Sequence, residues 1–407
     1  MDLLADAEDF LAYVSASPSP RHCVAETARR LEAAGFSGGT PADGLTAGFA
    51  TRGGSLLAWR SNGDGPTRVV TAHTDSPNLR VKPRPDVTGA GIRQVGVEVY
   101  GGVLLNSWLD RDLGLAGHVI VRTDDGIETR LALIDRAVLR IPQLAIHLDR
   151  DISSKGLLLN RQQHMKPMWG MAGEDDERTL ADLLAAELDV EPDAILAHEL
   201  MTFDLTPPAI GGWDDDFIAS PRIDNQLSCW AATAALASTE APGTQVIALF
   251  DHEEVGSTSS TGADSNMLAD ALGQLVGDSP SEDSLCISAD CAHATHPNYA
   301  DRHDPEHQIA LNGGPVVKVN ANERYATTPL GHALFVDACE RAEVPHQVFV
   351  NRTDLACGST VGPVTAARTG LDTVDVGAPQ LAMHSARETT GASDPGYLRR
   401  ALSAVFG

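Results

Sequence analysis

The sequence predicts an α/β protein whose main domain, a mixed sheet flanked by helices, is interrupted by a β-rich insert. Three observations carry this prediction. Four short β-type runs, 68–72, 246–250, 285–289 and 373–377, stand beside acidic or histidine-bearing turns. His73-Thr74-Asp75, Asp251-His252-Glu253-Glu254 and Asp290 follow the first three directly, and His384 lies at a longer remove from the fourth. Helix-type spacing surrounds these runs toward both ends of the chain, whereas residues 83–220 alternate apolar with polar side chains.

Taken in order, 2–14 and 23–34 carry helical apolar spacing, and the prolines of Ser15-Ala-Ser-Pro-Ser-Pro20 break the pattern between them. After the His73 turn comes a stretch rich in Pro, Lys and Arg, 78–85. The segments 95–100, 117–122 and 128–134 then alternate, and Thr123-Asp-Asp-Gly126 supplies a hairpin turn, so this part of the chain is expected to be antiparallel. A helical patch follows at 178–188, and the strand-helix pattern resumes at Pro221. Asp224 and Asn225 stand just before the helix-prone run 226–237, which places Asp224 near a helix N-terminus. The expected domains are therefore 1–82 with 221–407, and an insert at 83–220. The sequence shows no internal repeat and no low-complexity tract.

With 407 residues the chain is long enough for a large core in two or three domains. A net charge of −26 argues against nucleic acid and anionic membranes as partners, because the long-range field repels both. The six cysteines are scattered and lack a zinc-knuckle spacing. No basic-then-apolar leader opens the chain and no run reaches membrane-spanning length, so a reducing cytoplasmic setting is expected.

Open α/β sheets place their chemistry at the carboxyl ends of strands. Oxygen and imidazole donors gathered at such an edge are what a pair of divalent metal ions requires. In His73-Thr74-Asp75 the carboxylate can orient the ring while the ring binds metal. Glu253 and Glu254 leave their strand in different directions, so one can ligate metal while the other faces substrate as a base. His252-Glu253 does not begin a zincin helix, since position 256 is Gly where the second His is needed. A zinc-deaminase site also fails, for want of a downstream Pro-Cys-x-x-Cys. Asp224 alone reads as a helix cap, and His293, His296 and His384 alone read as loop or terminal histidines. Together, two histidines and three carboxylates near strand ends, with one spare glutamate, match a two-metal hydrolytic site.

Several words are specific. Thr71-Ala-His-Thr-Asp-Ser-Pro-Asn-Leu-Arg-Val-Lys-Pro83, Ile223-Asp-Asn225, Asp251-His-Glu-Glu-Val-Gly-Ser257, Ser288-Ala-Asp-Cys-Ala-His-Ala-Thr-His-Pro-Asn-Tyr299 and Met383-His-Ser-Ala-Arg-Glu388 occur in this order. The chain thereby resembles, over nearly its whole length, the M18 family of metallo-aminopeptidases, the aspartyl aminopeptidase family. The resemblance implies a zinc-peptidase-like α/β domain interrupted by a β-rich dimerisation domain. It also implies two divalent ions per subunit, zinc first, with cobalt and manganese compatible with the same donors. His73 and Asp290 would hold one ion, Glu254 and His384 the other, and Asp224 would bridge them. Glu253 would be the general base and Asp75 would steady His73. Lys318, Tyr325 and His293 match the family's substrate-binding set, and His147 is similar to a histidine that enters the partner subunit's site. Lys318, a cation in a strongly acidic protein, suits an acidic side chain at the peptide N-terminus. Self-association to dimers and tetrahedral dodecamers is expected. Two alternatives fit part of this pattern. A di-zinc carboxypeptidase or amidohydrolase would use the same cage, whereas a non-catalytic shell-forming protein would have no need of the spare Glu253.

Overall fold

The computed structural model describes residues 3–173, 177–277, 281 and 283–407. The chain forms two compact units, Met1–Ser76 with Pro208–Met383 and Glu388–Gly407, and Pro77–Pro207 with His384–Arg387.

The first unit is built on a nine-stranded mixed sheet. Its strands run in the order Ser37–Gly38, Ala47–Arg52, Ser55–Asn62, Gly243–Phe250, Thr67–His73, Leu285–Ala289, Asp372–Gly377, Val316–Val319 and Gln347–Val350. The four strands from Gly243–Phe250 to Asp372–Gly377 are mutually parallel, and their alignment sets Phe250 opposite His73. Every residue of Gly243–Phe250 and Leu285–Ala289 is buried, as expected of parallel strands covered on both faces. Adjacent residues divide between the two sides. Val70, Ile247 and Ile287 pack with Phe10, Trp230, Phe335 and Leu402 of the helices Leu3–Ala16, Ile223–Ser238, Pro329–Arg341 and Asp394–Phe406. Val69, Val246 and Cys286 pack instead with Leu268 and Leu272 of Met267–Val276 and with Val361 of Val361–Thr369.

The opening helices match their sequence pattern with shifted ends. Leu3–Ala16 runs two residues past Val14, and the second helix, Pro20–Ala33, starts at a proline whose missing N–H is harmless in the first turn. Ser19 caps it by accepting the His22 backbone N–H.

The second unit carries a six-stranded sheet, antiparallel at every pairing, in the order Gly126–Leu139, Leu113–Thr123, Ile195–Asp204, Asn78–Gly89, Ile92–Tyr100, Met168–Met171. The Thr123–Gly126 turn closes its first hairpin. Leu180 and Leu184 of the helix Leu180–Leu188 pack with Leu115, Val119 and Ile134. Thr179 and Asp182 form a capping box at that helix's N-terminus.

The unit boundaries differ from those read in the sequence. Asn78–Gly89 is one strand of the second sheet, with an irregularity in register between Val81 and Asp86 that absorbs Pro83 and Pro85. At the other end, Ala209–Gly211 and Phe217–Ser220 belong to a five-stranded sheet of the first unit with Glu388–Gly391, Pro379–Leu381 and Ala292–His293. Alternation at 209–220 resembles that of the insert, and only the distant partner Glu388–Gly391 shows where it belongs.

Candidate metal centre

His73 ends a central parallel strand and is 1% exposed. Its backbone is fixed on two sides, since Thr74 donates its N–H to the Phe250 carbonyl and Cys229 Sγ donates to the His73 carbonyl at 3.0 Å. The ring's Nδ1 lies 3.0 Å from the Asp75 carbonyl oxygen, which can only accept, so Nδ1 carries a proton and Nε2 is the nitrogen turned to the carboxylates, the one a metal ion would meet. Nε2 faces Asp224 Oδ1 at 3.3 Å, Asp290 Oδ1 at 3.8 Å and Glu253 Oε2 at 4.0 Å. One ligand atom each from His73, Asp224 and Glu254 lie within 4.8 Å of one another, the arrangement of a metal-binding group. Burial disfavours a charged imidazole here, yet the carboxylates of Asp224, Asp290, Asp75 and Glu253 outweigh it and hold the His73 pKa well above its ordinary value. The cluster stabilises positive charge at its centre.

Asp75 is fully buried and ties two turns together. Its Oδ1 accepts the Glu253 backbone N–H and its Oδ2 the Glu254 backbone N–H, both at 3.1 Å, while Oδ1 lies 3.4 Å from His73 Nδ1. The Glu253–Val255 turn begins after His252, held in the left-handed region at φ 68°. Burial, together with the neighbouring Asp290, Glu254 and Asp75 carboxylates, pushes the Glu253 carboxyl pKa well up against the opposing effect of His73. Asp290 follows its strand directly and donates its N–H to the Val376 carbonyl at 2.8 Å. The close approach needs Gly377, where a Cβ would overlap the Asp290 carbonyl oxygen.

Asp224 does not sit as a simple helix cap. Asp224 and Asn225 are non-helical within Ile223–Ser238, the peptide between them is cis, and the regular helix begins after them. Asp224 N–H donates to Glu388 Oε2 at 3.0 Å, Ser76 Oγ donates to the Asp224 carbonyl, and Asn225 Nδ2 donates to the Ala289 carbonyl at 2.8 Å. Ser76, Asn225, Cys229 and Glu388 are positioning residues that sequence reasoning gave no role. Three of them lie inside the quoted words, but their roles depend on partners 64–164 positions away.

The substrate-set residues are also placed. Lys318 is 2% exposed, with Nζ donating to the Cys291 carbonyl at 3.3 Å and lying 5.1 Å from the centre of the Tyr325 ring. That burial excludes a strand lysine in solvent. Tyr325 and His293 each meet the Phe349 ring edge-on, at 6.4 and 6.2 Å between centres. His384 belongs to the second unit, where its Nδ1 lies 3.1 Å from the Gly102 carbonyl oxygen, so the triad above is formed without it. His147, also in the second unit, is exposed in the segment after the strand Gly126–Leu139.

A cation-stabilising cluster of histidine and carboxylates at the carboxyl ends of parallel strands, with a raised-pKa glutamate beside it, defines a metallohydrolase. Comparison with known proteins narrows the class. Residues 13–406 match the family described as aminopeptidase I zinc metalloprotease (M18). The probable M18 family aminopeptidase 2 of Streptomyces coelicolor is 49% identical over 421 residues, covering 98% of this chain and 97% of the relative. Among solved structures, the Ape4 and Nbr1 complex has a chain that superposes with a TM-score of 0.95 at 36% identity, covering 99% of this chain and 86% of that one. The mApe1 dodecamer of S. cerevisiae gives 0.83 at 25% identity, covering 98% and 96%. The chain belongs to the M18 family and is a metallo-aminopeptidase, a hydrolase of peptides. Among the described residues no helix is long and apolar enough to cross a membrane.

Proposed function

We propose that this aminopeptidase uses two divalent ions, zinc first, to remove N-terminal Asp or Glu from peptides. The observation that carries the acidic preference is Lys318, a buried cation whose Nζ bonds the carbonyl of Cys291, the residue after Asp290. Its charge also acts on the buried Asp375, lowering that carboxyl's pKa against the burial that raises it, so a carboxylate in this region feels the Lys318 cation.

The donor chemistry fits a hard or borderline divalent ion, because His73, Asp224 and Glu254 converge and Asp290 faces the same Nε2. The sequence resemblance adds His384 to the set, and loss of bound metal in His384→Ala tests it. When bound, the ions polarise the scissile carbonyl and acidify water. Glu253, whose Oε2 lies 4.0 Å from His73 Nε2, accepts the proton of the attacking water and returns it to the leaving amine. Asp75 holds the glutamate turn and the His73 tautomer in place. His293 and Tyr325 flank the substrate, and a free α-amine held by carboxylate confines cleavage to the first peptide bond.

The chain is further proposed to act in the cytoplasm, a setting in keeping with its six free thiols, and to assemble as dimers within a dodecamer. The mApe1 neighbour and the exposed apolar side chains around His147 support assembly: Leu144, Ile146 and Leu148, with Leu158 beyond them, are 52–91% exposed. His147 would then serve a partner's site, and mixing His147→Ala with Glu253→Gln chains would restore activity. The substrate reading is tested with a dipeptide library on metal-analysed protein. Preference for Asp and Glu at the N-terminus is expected, and equal turnover of neutral N-termini would overturn it.

A further inference from the structure

Lys318 and Asp375 face each other across two antiparallel strands. Val316 pairs with Gly377 and Val317 with Val376, so the next step of that register sets Lys318 opposite Asp375. A side chain interrupts the ladder there. Asp375 donates its N–H to Thr327 Oγ1 at 3.0 Å, and the same hydroxyl donates to the Lys318 carbonyl at 2.6 Å. Residues directly opposite on neighbouring strands have Cβ atoms about 4.5–5.5 Å apart, a separation from which a lysine and an aspartate readily pair. Both side chains are buried, yet among the described residues the two form no ion pair.

Other partners hold them apart. Asp375 Oδ2 accepts the Ala326 backbone N–H and Oδ1 accepts the Thr360 hydroxyl, both at 2.6 Å. Thr360 caps the helix Val361–Thr369, whose Gly362 comes so close that a Cβ would lie 2.3 Å from Asp375 Oδ2. Hydrogen bonds to both oxygens and a helix N-terminus favour the ionised carboxylate without help from the lysine. Lys318 Nζ is left with the Cys291 carbonyl and the face of the Tyr325 ring. Tyr325 directly precedes Ala326, so the bond from Ala326 to Asp375 also fixes the backbone that carries this ring, which packs with Val316 and Phe349. Asp375 therefore reaches Lys318 by two routes, through Thr327 to its carbonyl and through Ala326 to the aromatic ring beside its ammonium.

We propose that Asp375 is a positioning residue for acid selectivity: it fixes Lys318 and Tyr325 relative to each other and, tied to Ala326 and Thr360, leaves the ammonium free for the side-chain carboxylate of the substrate. The role rests on the acidic preference proposed above. A carboxylate opposite a lysine would otherwise capture it and compete with the substrate, whereas here the lone pairs of Asp375 are already engaged.

The test is kcat/KM of metal-loaded enzyme on Asp-Ala and Ala-Ala, read as a ratio, with melting temperatures measured on the same samples. Asp375→Ala should lower the ratio about tenfold or more, with the loss in KM for Asp-Ala, because the lysine and the ring are no longer held in place. A merely structural residue would lower both substrates alike and leave the ratio unmoved. Asp375→Asn keeps an oxygen for the Ala326 N–H and an NH₂ that can donate to Thr360 Oγ1, so its ratio should match or exceed the wild-type value, a competing charge having been removed. Thr360→Val leaves Asp375 in place but frees Oδ1 to turn toward Lys318, and its ratio should fall as well. An unchanged ratio in Asp375→Ala, or in Thr360→Val where Asp375→Ala melts far below wild type, overturns the role, as does a ratio lowered equally by Asn and Ala. In each of these cases the acidic preference itself still stands. A wild-type ratio near one overturns the preference and the role together.

Discussion

Asp75 accepts the backbone N–H of Glu253 through Oδ1 at 3.1 Å while its own carbonyl accepts from His73 Nδ1. One buried carboxylate thus couples the histidine turn to the glutamate turn, and the Glu254 N–H on Oδ2 completes the coupling. Asp75→Asn keeps the size but sets an amide NH₂ against one of those two N–H donors. The expected result is a folded protein with about 10–100-fold weaker metal affinity or activity, as for lost partners of metal ligands. Metal titration with kcat measured on the same samples checks it, and wild-type values for both would remove Asp75 from the positioning role.

The adjacent glutamates should separate by metal content. Glu253→Gln removes a proton acceptor, so the bound metal should persist while kcat falls by about 10²–10⁴. Glu254→Gln alters a member of the convergent triad and should lose metal first. Chelation should silence the wild type, and zinc, cobalt or manganese should restore it. Near-normal turnover in Glu253→Gln would mean that another group takes the proton.

Lys318→Met should change selectivity more than stability. A buried charge-assisted contact contributes about 1.5–3 kcal/mol, so kcat/KM on N-terminal Asp peptides should fall about 10–150-fold relative to N-terminal Ala peptides. The ratio is the readout, because removing the cation also leaves the buried Asp375 without its nearby compensation. Equal losses on both peptides would make Lys318 a structural residue.

The parts of this protein legible in the sequence are those set by short-range pattern. The parallel strands ending at His73, Phe250 and Ala289 show as short apolar runs because both faces are covered, and the antiparallel insert shows as alternation with its Thr123–Gly126 turn. The motif words located His73, Asp224, Glu254 and Asp290 by residue number. What pattern could not supply was long-range pairing. Phe217–Ser220 looks like the insert until Glu388–Gly391 is found beside it, and Asp224 looks like a cap until its backbone is seen bonded to Glu388 and Ser76. Lys318 illustrates the same limit, since a lysine on a strand would by default face solvent and only the packed fold shows it buried against Tyr325.

His22, which has no part in the His73 cluster, should make stability fall in mild acid. It lies in the first turn of Pro20–Ala33, buried, with Nδ1 2.7 Å from Ser19 Oγ. Burial first, and the nearby Arg222 charge second, lower its pKa from 6.5 to about 4. The folded state therefore keeps His22 neutral at pH values where the unfolded chain has already taken up a proton. Above about pH 6.5 both states are neutral and the contribution is fully present; as pH falls from 6.5 toward 4 the unfolded state gains the proton alone, and stability is lost, by at most about 3 kcal/mol. His22→Gln does not titrate and can still hydrogen-bond Ser19. Denaturant unfolding of both proteins in excess zinc, from pH 7.5 down to 4.5, should show the wild type losing stability faster than the variant, with the gap between them changing only below about pH 6.5. A gap that stays constant across the range would show that His22 titrates alike in both states and that the buried neutral ring contributes no pH dependence.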